Sequence, residues 1–303
     1  MSSSILISAI SQGLLWAILA IGIHVTYRIL DISDLTSESS FTLGAAVTAS
    51  AIVNGVPPLV AIIMATISGS LAGMVTGLLH TKLHIPSLLS GILSMTGLYS
   101  INLRIMGKAN IPLNMHDTIL TNIKDLLGLA KDRDAAIILG IIVCIIVILV
   151  LVWFFNTEFG FGIVATGSND KMIRANGINS DITKIAGLML ANALIALSGS
   201  LVCQYNGYAD VGQGIGAIVI GLASVIIGEV IFKRKNLLLS LVGIVFGSII
   251  YRLIVALVIN SDYVSANDMK LFTAIIVAAA LYLANINFKK KGAKKDVRDK
   301  AHI

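Results

Sequence analysis

The chain has 303 residues, 56% of them hydrophobic and only 13% charged, with a mean hydropathy of +0.92. A soluble globule of this size needs far more polar surface, so a water-soluble enzyme or binding domain is excluded and a polytopic membrane protein is indicated. The net charge of +6 gathers at span ends and in the carboxyl-terminal tail without interleaved aromatic residues, a distribution that speaks for membrane topology and against nucleic acid as a partner.

A helix needs ~20 apolar residues to cross ~30 Å of hydrocarbon, and about nine candidate segments follow along the chain. They run roughly over 5–27, 39–55, 58–79, 86–103, 135–155, 182–206, 214–232, 237–259 and 270–287. The expected fold is therefore all-α and polytopic, with residues 1–288 as the transmembrane domain and 289–303 as a basic tail. Met1 to Ser4 lacks the positive region of a cleavable signal, and the run that follows is too long for one, so it is read as the first span. The second and fourth segments are short and rich in Ser, Thr and Gly, which predicts broken or re-entrant helices lined by protein. Cys144 and Cys203 fall inside apolar segments and read as packed thiols.

Lys and Arg mark the cytoplasmic side. The tail carries Lys289, Lys290, Lys291, Lys294, Lys295, Arg298 and Lys300, and a short loop adds Lys233, Arg234 and Lys235. Threading nine spans back from the tail brings Arg28, Lys82, Lys171, Arg174 and Lys184 to the same side, fifteen of the 22 basic residues. The expected orientation is an amino terminus outside, a carboxyl terminus in the cytoplasm, and one sizeable outer loop from about Arg104 to Asp134.

Between Gly160 and Asp181 a polar island, GFGIVATGSNDKMIRANGINSD, interrupts the apolar chain. Ser168 or Asn169 suits an N-cap, Asp170 suits the positive helix end and Gly177 suits the position past the last turn, so a helix of two turns is predicted over about 168–177. Lys171, Arg174 and Asn176 face water, while Met172, Ile173 and Ala175 form a small apolar patch. Ser180 or Asp181 then caps the next span. Two readings stand: a solvated loop that happens to be helical, or a knob that a soluble partner engages.

The order of this island, the span after it, the polar turn YADVGQGIG and the segment AIVIGLASVIIGEV resembles the membrane permeases of ATP-binding-cassette importers in the branched-chain amino acid and ribose group. The stretch YRILDISDLTSESSFTLGAAVTA sits where those permeases place a polar turn and a small-residue helix, and its wording is closer to a branch associated with tryptophan or tyrosine uptake. The resemblance implies that Ser168, Asn169, Lys171, Met172, Arg174, Ala175, Asn176 and Gly177 form the helix that couples the permease to its ATPase. It also implies two ATPase subunits that bind ATP and Mg, an external solute-binding protein, and a second copy of this chain making a homodimer in the plasma membrane.

The two polar turns resemble each other. Tyr27 to Ala46 and Tyr205 to Val219 each pass from the end of an apolar span through an Asp, Asp34 or Asp210, into a helix of small residues, and the topology places them at opposite faces. That is the pattern of an inverted repeat with the solute path between broken segments. Candidate path residues are Asp34, Thr36, Glu38 and Ser39 in the first turn and Asn206, Tyr208, Asp210 and Gln213 in the second. A carboxylate there could meet the ammonium group of an amino acid, and freed helix-start amides its carboxylate. The alternative is a pair of ordinary capped loops, with Asp34 or Ser37 as the N-cap.

Arg252 lies near the outer end of its span and is read as snorkelling to the headgroups. Glu229 is read as an ion-pair partner at the cytoplasmic end. His80 and His84 stand at i, i+4 with no third ligand, so no metal site is expected. No GxxxxGK[ST] loop is present, so ATP hydrolysis falls to a separate chain and this one is not an enzyme. The alternative function is an ion-driven secondary transporter, which would want paired acids at mid-span.

Overall fold

The computed structural model describes residues 3–232 and 236–259, together with positions 271, 274, 275 and 278. Among them the chain forms eleven α-helices: α1 Ser3–His24, α2 Thr36–Val53, α3 Pro58–Thr81, α4 Ser87–Met106, α5 Ile119–Leu127, α6 Asp132–Phe155, α7 Glu158–Ser168, α8 Asp170–Ala175, α9 Ser180–Asn206, α10 Ala217–Ile231 and α11 Leu237–Ile259. A turn of π-helix, Val25–Ile29, extends α1. Five stretches are long and apolar enough to cross a bilayer: Ile5–Ile29, Pro58–Thr81, Asp132–Phe155, Ser180–Asn206 and Leu237–Ile259. Ala217–Ile231 is apolar but shorter. The protein is thus an all-α polytopic membrane protein, and the expected span over 270–287, like the tail over 289–303, lies largely or wholly outside the described residues.

Two features depart from an all-helical reading. The expected outer loop holds the amphipathic α5, whose Thr118 N-cap and Thr121 form a reciprocal capping box, with Thr where the usual sequence signature has Glu or Gln. Strands β1 Asn110–Pro112 and β2 Tyr208–Asp210 pair antiparallel, Ile111 opposite Ala209. Three-residue strands carry no readable period.

Small residues bring the central helices together. Gly69 and Gly73 of α3 lie against the backbone carbonyls of Asn192 and Leu188 in α9, where any Cβ would collide. This close approach lets dispersion and packing hold two helices where lipid removes the hydrophobic drive. α9 packs against α3 and α2, while α1 packs against α11, α9 and α10. The run Leu15 to Ile21 of α1 is fully enclosed. The opposite environment is seen on α6, whose Ile141, Ile142, Ile145, Ile146 and Leu149 are exposed and offer a lipid-facing wall.

Charged groups separate by bundle end. At one end Arg28 pairs with Glu229 at 2.7 Å and Lys82 with Asp181 at 3.5 Å, with Asp170, Arg174 and Lys184 nearby. The ion-pair reading of Glu229 is met. At the other end Lys124 pairs with Asp132 at 3.0 Å.

Candidate functional site

The chain leaving α1 reverses at Asp31, a non-glycine residue in the left-handed region with φ 55°, which Asp tolerates better than most side chains. It then runs through Asp34 into α2. Asp34 is fully buried. Its Oδ1 accepts the Thr36 backbone N–H at 2.9 Å and its Oδ2 accepts from Asn192 Nδ2 at 2.7 Å. Thr36 Oγ1 lies 2.8 Å from Thr76 Oγ1 on α3, and Thr76 donates to Ser94 of α4 at 2.8 Å. Thr76 is five residues before the end of α3 and Asn192 twelve residues into α9, so by helical rise the acidic turn lies about 8–18 Å inside the helix ends. The first turn is therefore deep. The reading of Asp34 as a surface N-cap is corrected: Leu35 holds the cap position, and Asp34 braces the helix start from within the bundle.

The second turn enters from the other end. After β2 the chain folds back so that Gly214 N–H donates to Thr42 Oγ1 at 3.1 Å and Gly216 N–H donates to Glu38 Oε1 at 2.9 Å. Gly214 packs on the Glu38 carbonyl with no room for a side chain. Gly216 itself adopts φ 85°, which glycine allows without a Cβ clash. α10 begins at the next residue. Gly44, two residues on from Thr42, packs on Ala196, ten residues or about 15 Å before the end of α9 at the helical rise. Two helices entering from opposite ends thus start side by side in mid-bundle. The carboxylate of Glu38 on the first caps the second.

The candidate residues divide. Asp34, Thr36 and Glu38 converge on this junction, with Gln213 one residue from Gly214. Ser39 instead anchors α4 by donating to the Met95 carbonyl at 2.9 Å. Asn206 ends α9, while Tyr208 and Asp210 stay in the β-ladder. There Asp210 accepts from Gly212 N at 2.8 Å and from Asn110 at 3.4 Å, so its carboxylate shapes a turn at the bundle end. Asn192 and Thr42 are the residues that sequence reading missed. Asn192 was findable as an amide in the middle of an apolar span; Thr42 was hidden as one of seven hydroxyl residues in the same helix.

In the polar island, α7 continues through Ser168, so Asn169 alone is the N-cap, its Oδ1 accepting from Met172 N at 3.1 Å. The predicted two turns shrink to the six residues of α8, and Gly177 follows with φ 82°. Asn179, rather than Ser180 or Asp181, caps α9. Ile173 is buried beneath α8 and leaves the predicted apolar patch, whereas Met172 and Ala175 are exposed. Lys171 and Asn176 are exposed as well. Arg174 bridges Asp170 at 3.4 Å and Asp181 at 2.6 Å, and Lys184 reaches Asp170 at 3.0 Å. Slight burial works against the charged carboxylate of Asp170, but the Ser180 hydroxyl and the cations Lys184 and Arg174 outweigh it and hold Asp170 below the usual range. α8 is thereby pinned to the start of α9 while its outer face stays open. Among the described residues no cluster of His, Cys, Asp and Glu could hold a metal ion.

Comparison with known proteins agrees with this architecture. The chain is 42% identical over 291 residues to "Tyrosine transport system permease protein" of Clostridioides difficile (strain R20291), covering 95% of each chain. It is 30% identical over 282 residues to "Uncharacterized protein RP368" of Rickettsia prowazekii (strain Madrid E), covering 92% of this chain and 97% of the other. The fold is similar to the solved structure "PsaBC from Streptococcus pneumoniae in complex with Fab", with a TM-score of 0.51, 15% identity, and coverage of 92% and 89%. The profile described as "Branched-chain amino acid transport system / permease component" matches residues 5–281, so the chain belongs to that family, the membrane permeases of ATP-binding-cassette importers.

Proposed function

We propose that the chain is the translocation subunit of an importer for an amino acid of aromatic type, and that the solute passes the junction of α2 and α10. The observation that carries the reading is the pairing of Glu38 with the start of α10 in mid-bundle, beside the buried Asp34. An isolated carboxylate in low dielectric costs several kcal/mol, and an ammonium group in transit offsets that cost. A solute carboxylate would take the helix-start amides of Gly214 and Gly216 over from Thr42 Oγ1 and Glu38 Oε1, freeing the Glu38 carboxylate for the ammonium group. Identity to the tyrosine permease over nearly the whole of both chains favours an aromatic solute.

The rest of the assembly follows from the same reading. Nine spans arranged as an inverted repeat place the amino terminus outside and the carboxyl terminus in the cytoplasm. Residues 168–177 dock into an ATPase that carries ATP and Mg, and an external binding protein delivers the solute. A homodimer places the path between identical patches about a two-fold axis.

The test is reconstitution of the chain in proteoliposomes with its cognate ATPase and binding protein. ATP-dependent accumulation of labelled tyrosine, exceeding that of leucine or ribose, is expected. Accumulation driven by a proton or sodium gradient without the ATPase would replace the reading with the ion-driven alternative.

A further inference from the structure

Away from the α2–α10 junction, a cavity of about 340 Å³ opens between α1, α6 and α11, lined by Ser8, Gln12, Arg133 and Arg252 with Ile5, Val255 and Ile259 among the apolar residues at its rim. Arg252 does not simply extend to water. Its guanidinium stacks 4.1 Å from the Trp16 ring centroid and donates to Gln12 Oε1 at 3.2 Å. Its Nε has no hydrogen-bond acceptor, and among the described residues no carboxylate pairs with it. The nearby Asp132 is engaged by Lys124. A second guanidinium, Arg133, lines the same space from the first turn of α6.

A guanidinium held out of bulk water is costly without a counter-ion, and among the described residues Arg252 has none. A neutral amide and an aromatic face relieve only part of that. The missing component is an anion. The level of the site identifies its source: Lys131, Asp132, Arg133 and Asp134 begin α6 and mark the polar boundary, and Arg252 is seven residues, about 10 Å at the helical rise, before the end of α11. Farther along α6 Ile141 and Ile145 are exposed, and on α11 so is Leu257. A free anion gains nothing from such a rim, whereas acyl chains do.

We propose that this cavity binds the phosphate of an anionic phospholipid, with Arg252 and Arg133 on the phosphate oxygens and the acyl chains along α6 and α11. Bidentate guanidinium–phosphate pairing suits this geometry better than a point charge would.

The full-length chain in mild detergent is titrated with phosphatidylglycerol, phosphatidylcholine or inorganic phosphate, and adducts are counted by native mass spectrometry. Phosphatidylglycerol is expected to bind more tightly than phosphatidylcholine, and R252Q to weaken that binding by roughly fivefold, the contribution typical of one cation at a lipid surface. S8W narrows the cavity mouth from α1 and leaves both guanidinium groups in place; it is expected to lower phosphatidylglycerol binding at unchanged thermal stability. S8W also serves if R252Q does not fold. Equal phosphatidylglycerol affinity in the wild type and in these variants overturns the proposal. So does displacement of the lipid by millimolar inorganic phosphate, which would make the cavity a free-anion site.

Discussion

Asp34→Asn separates the two roles a buried carboxylate plays at the start of α2. Asp34 accepts from the Thr36 backbone and from the Asn192 amide, and the Asn192 Oδ1 is itself without a partner. An Asn at 34 retains an oxygen for Thr36, while its new NH₂ would oppose the NH₂ of Asn192. A half-turn of the Asn192 amide removes that conflict, because the idle Oδ1 then accepts. Both hydrogen bonds survive, but the turned amide gives up its bond to the Leu188 carbonyl, a stability cost of about 0.5–1.5 kcal/mol. Asp34→Ala leaves the Thr36 N–H without its acceptor, at about 1–3 kcal/mol, and the Asn192 amide with the Leu188 carbonyl alone. The two variants therefore differ in folding by a few degrees of melting temperature or more. If the charge serves the solute, uptake through the asparagine variant falls about tenfold or more, equivalent to ~1.4 kcal/mol on the transport barrier. The assay is ATP-driven uptake in proteoliposomes, with ATPase rate and melting temperature measured on the same preparations. Uptake within about twofold of wild type in a folded, assembled asparagine variant would refute the ammonium-steering role and reduce Asp34 to a brace.

Further outcomes are expected elsewhere. Gly214→Val drives a side chain into the Glu38 carbonyl and should part the two helix starts, abolishing uptake while the chain still inserts; normal uptake by this variant would remove the junction from the path. Ala175→Glu places a charge on the exposed face of α8 and should leave insertion intact but uncouple ATP hydrolysis from uptake, and full transport with a bound ATPase would count against α8 as the lever. A cysteine at Asn122 should react with an impermeant thiol reagent outside intact cells and one at Lys171 only after lysis, on a background kept low because Cys144 and Cys203 are buried; the reverse pattern inverts the orientation. Asp170 has a depressed folded value, so its contribution is present above the unfolded carboxylate range near ~4 and is lost as pH falls through the lower folded value. Protection of the α8–α9 backbone from hydrogen exchange should thus be flat from about pH 5 to 8. A decline that sets in near neutrality would contradict the ion-pair network.

How much of this was legible follows the physics of each element. Long apolar segments were readable to within a few residues, as α11 at Leu237–Ile259 and α3 from Pro58 show, because bilayer thickness imposes a length. The breaks before α2 and α10 were readable as polar turns, yet their depth was not. Depth is decided by the partners of Asp34, Glu38 and Gly216, and those lie up to 178 positions away along the chain. Asp34 and Asp210 look alike in sequence and end up in unlike places, one enclosed beside Asn192 and one in a surface turn with Gly212. The burial of Ile173 is decided by tertiary packing and leaves no trace in six residues of local pattern.

The short pairing of β1 with β2 has a mechanical consequence. Leu113 N–H donates to the Gly207 carbonyl at 2.7 Å and Val211 N–H to the Ala109 carbonyl at 3.0 Å, so backbone bonds stitch the segment after α4 to the segment after α9 at one end of the bundle. Backbone pairs hold a fixed interstrand spacing of about 4.8 Å and do not stretch as side-chain contacts do. The same two parts of the chain are also interlocked along their length, through Gly69 and Gly73 of α3 on the backbone of α9, so the tie fixes their spacing at that end rather than joining loose halves. The Arg28–Glu229 pair and the exposed face of α8 lie at the opposite end, where no backbone ladder among the described residues imposes such a spacing.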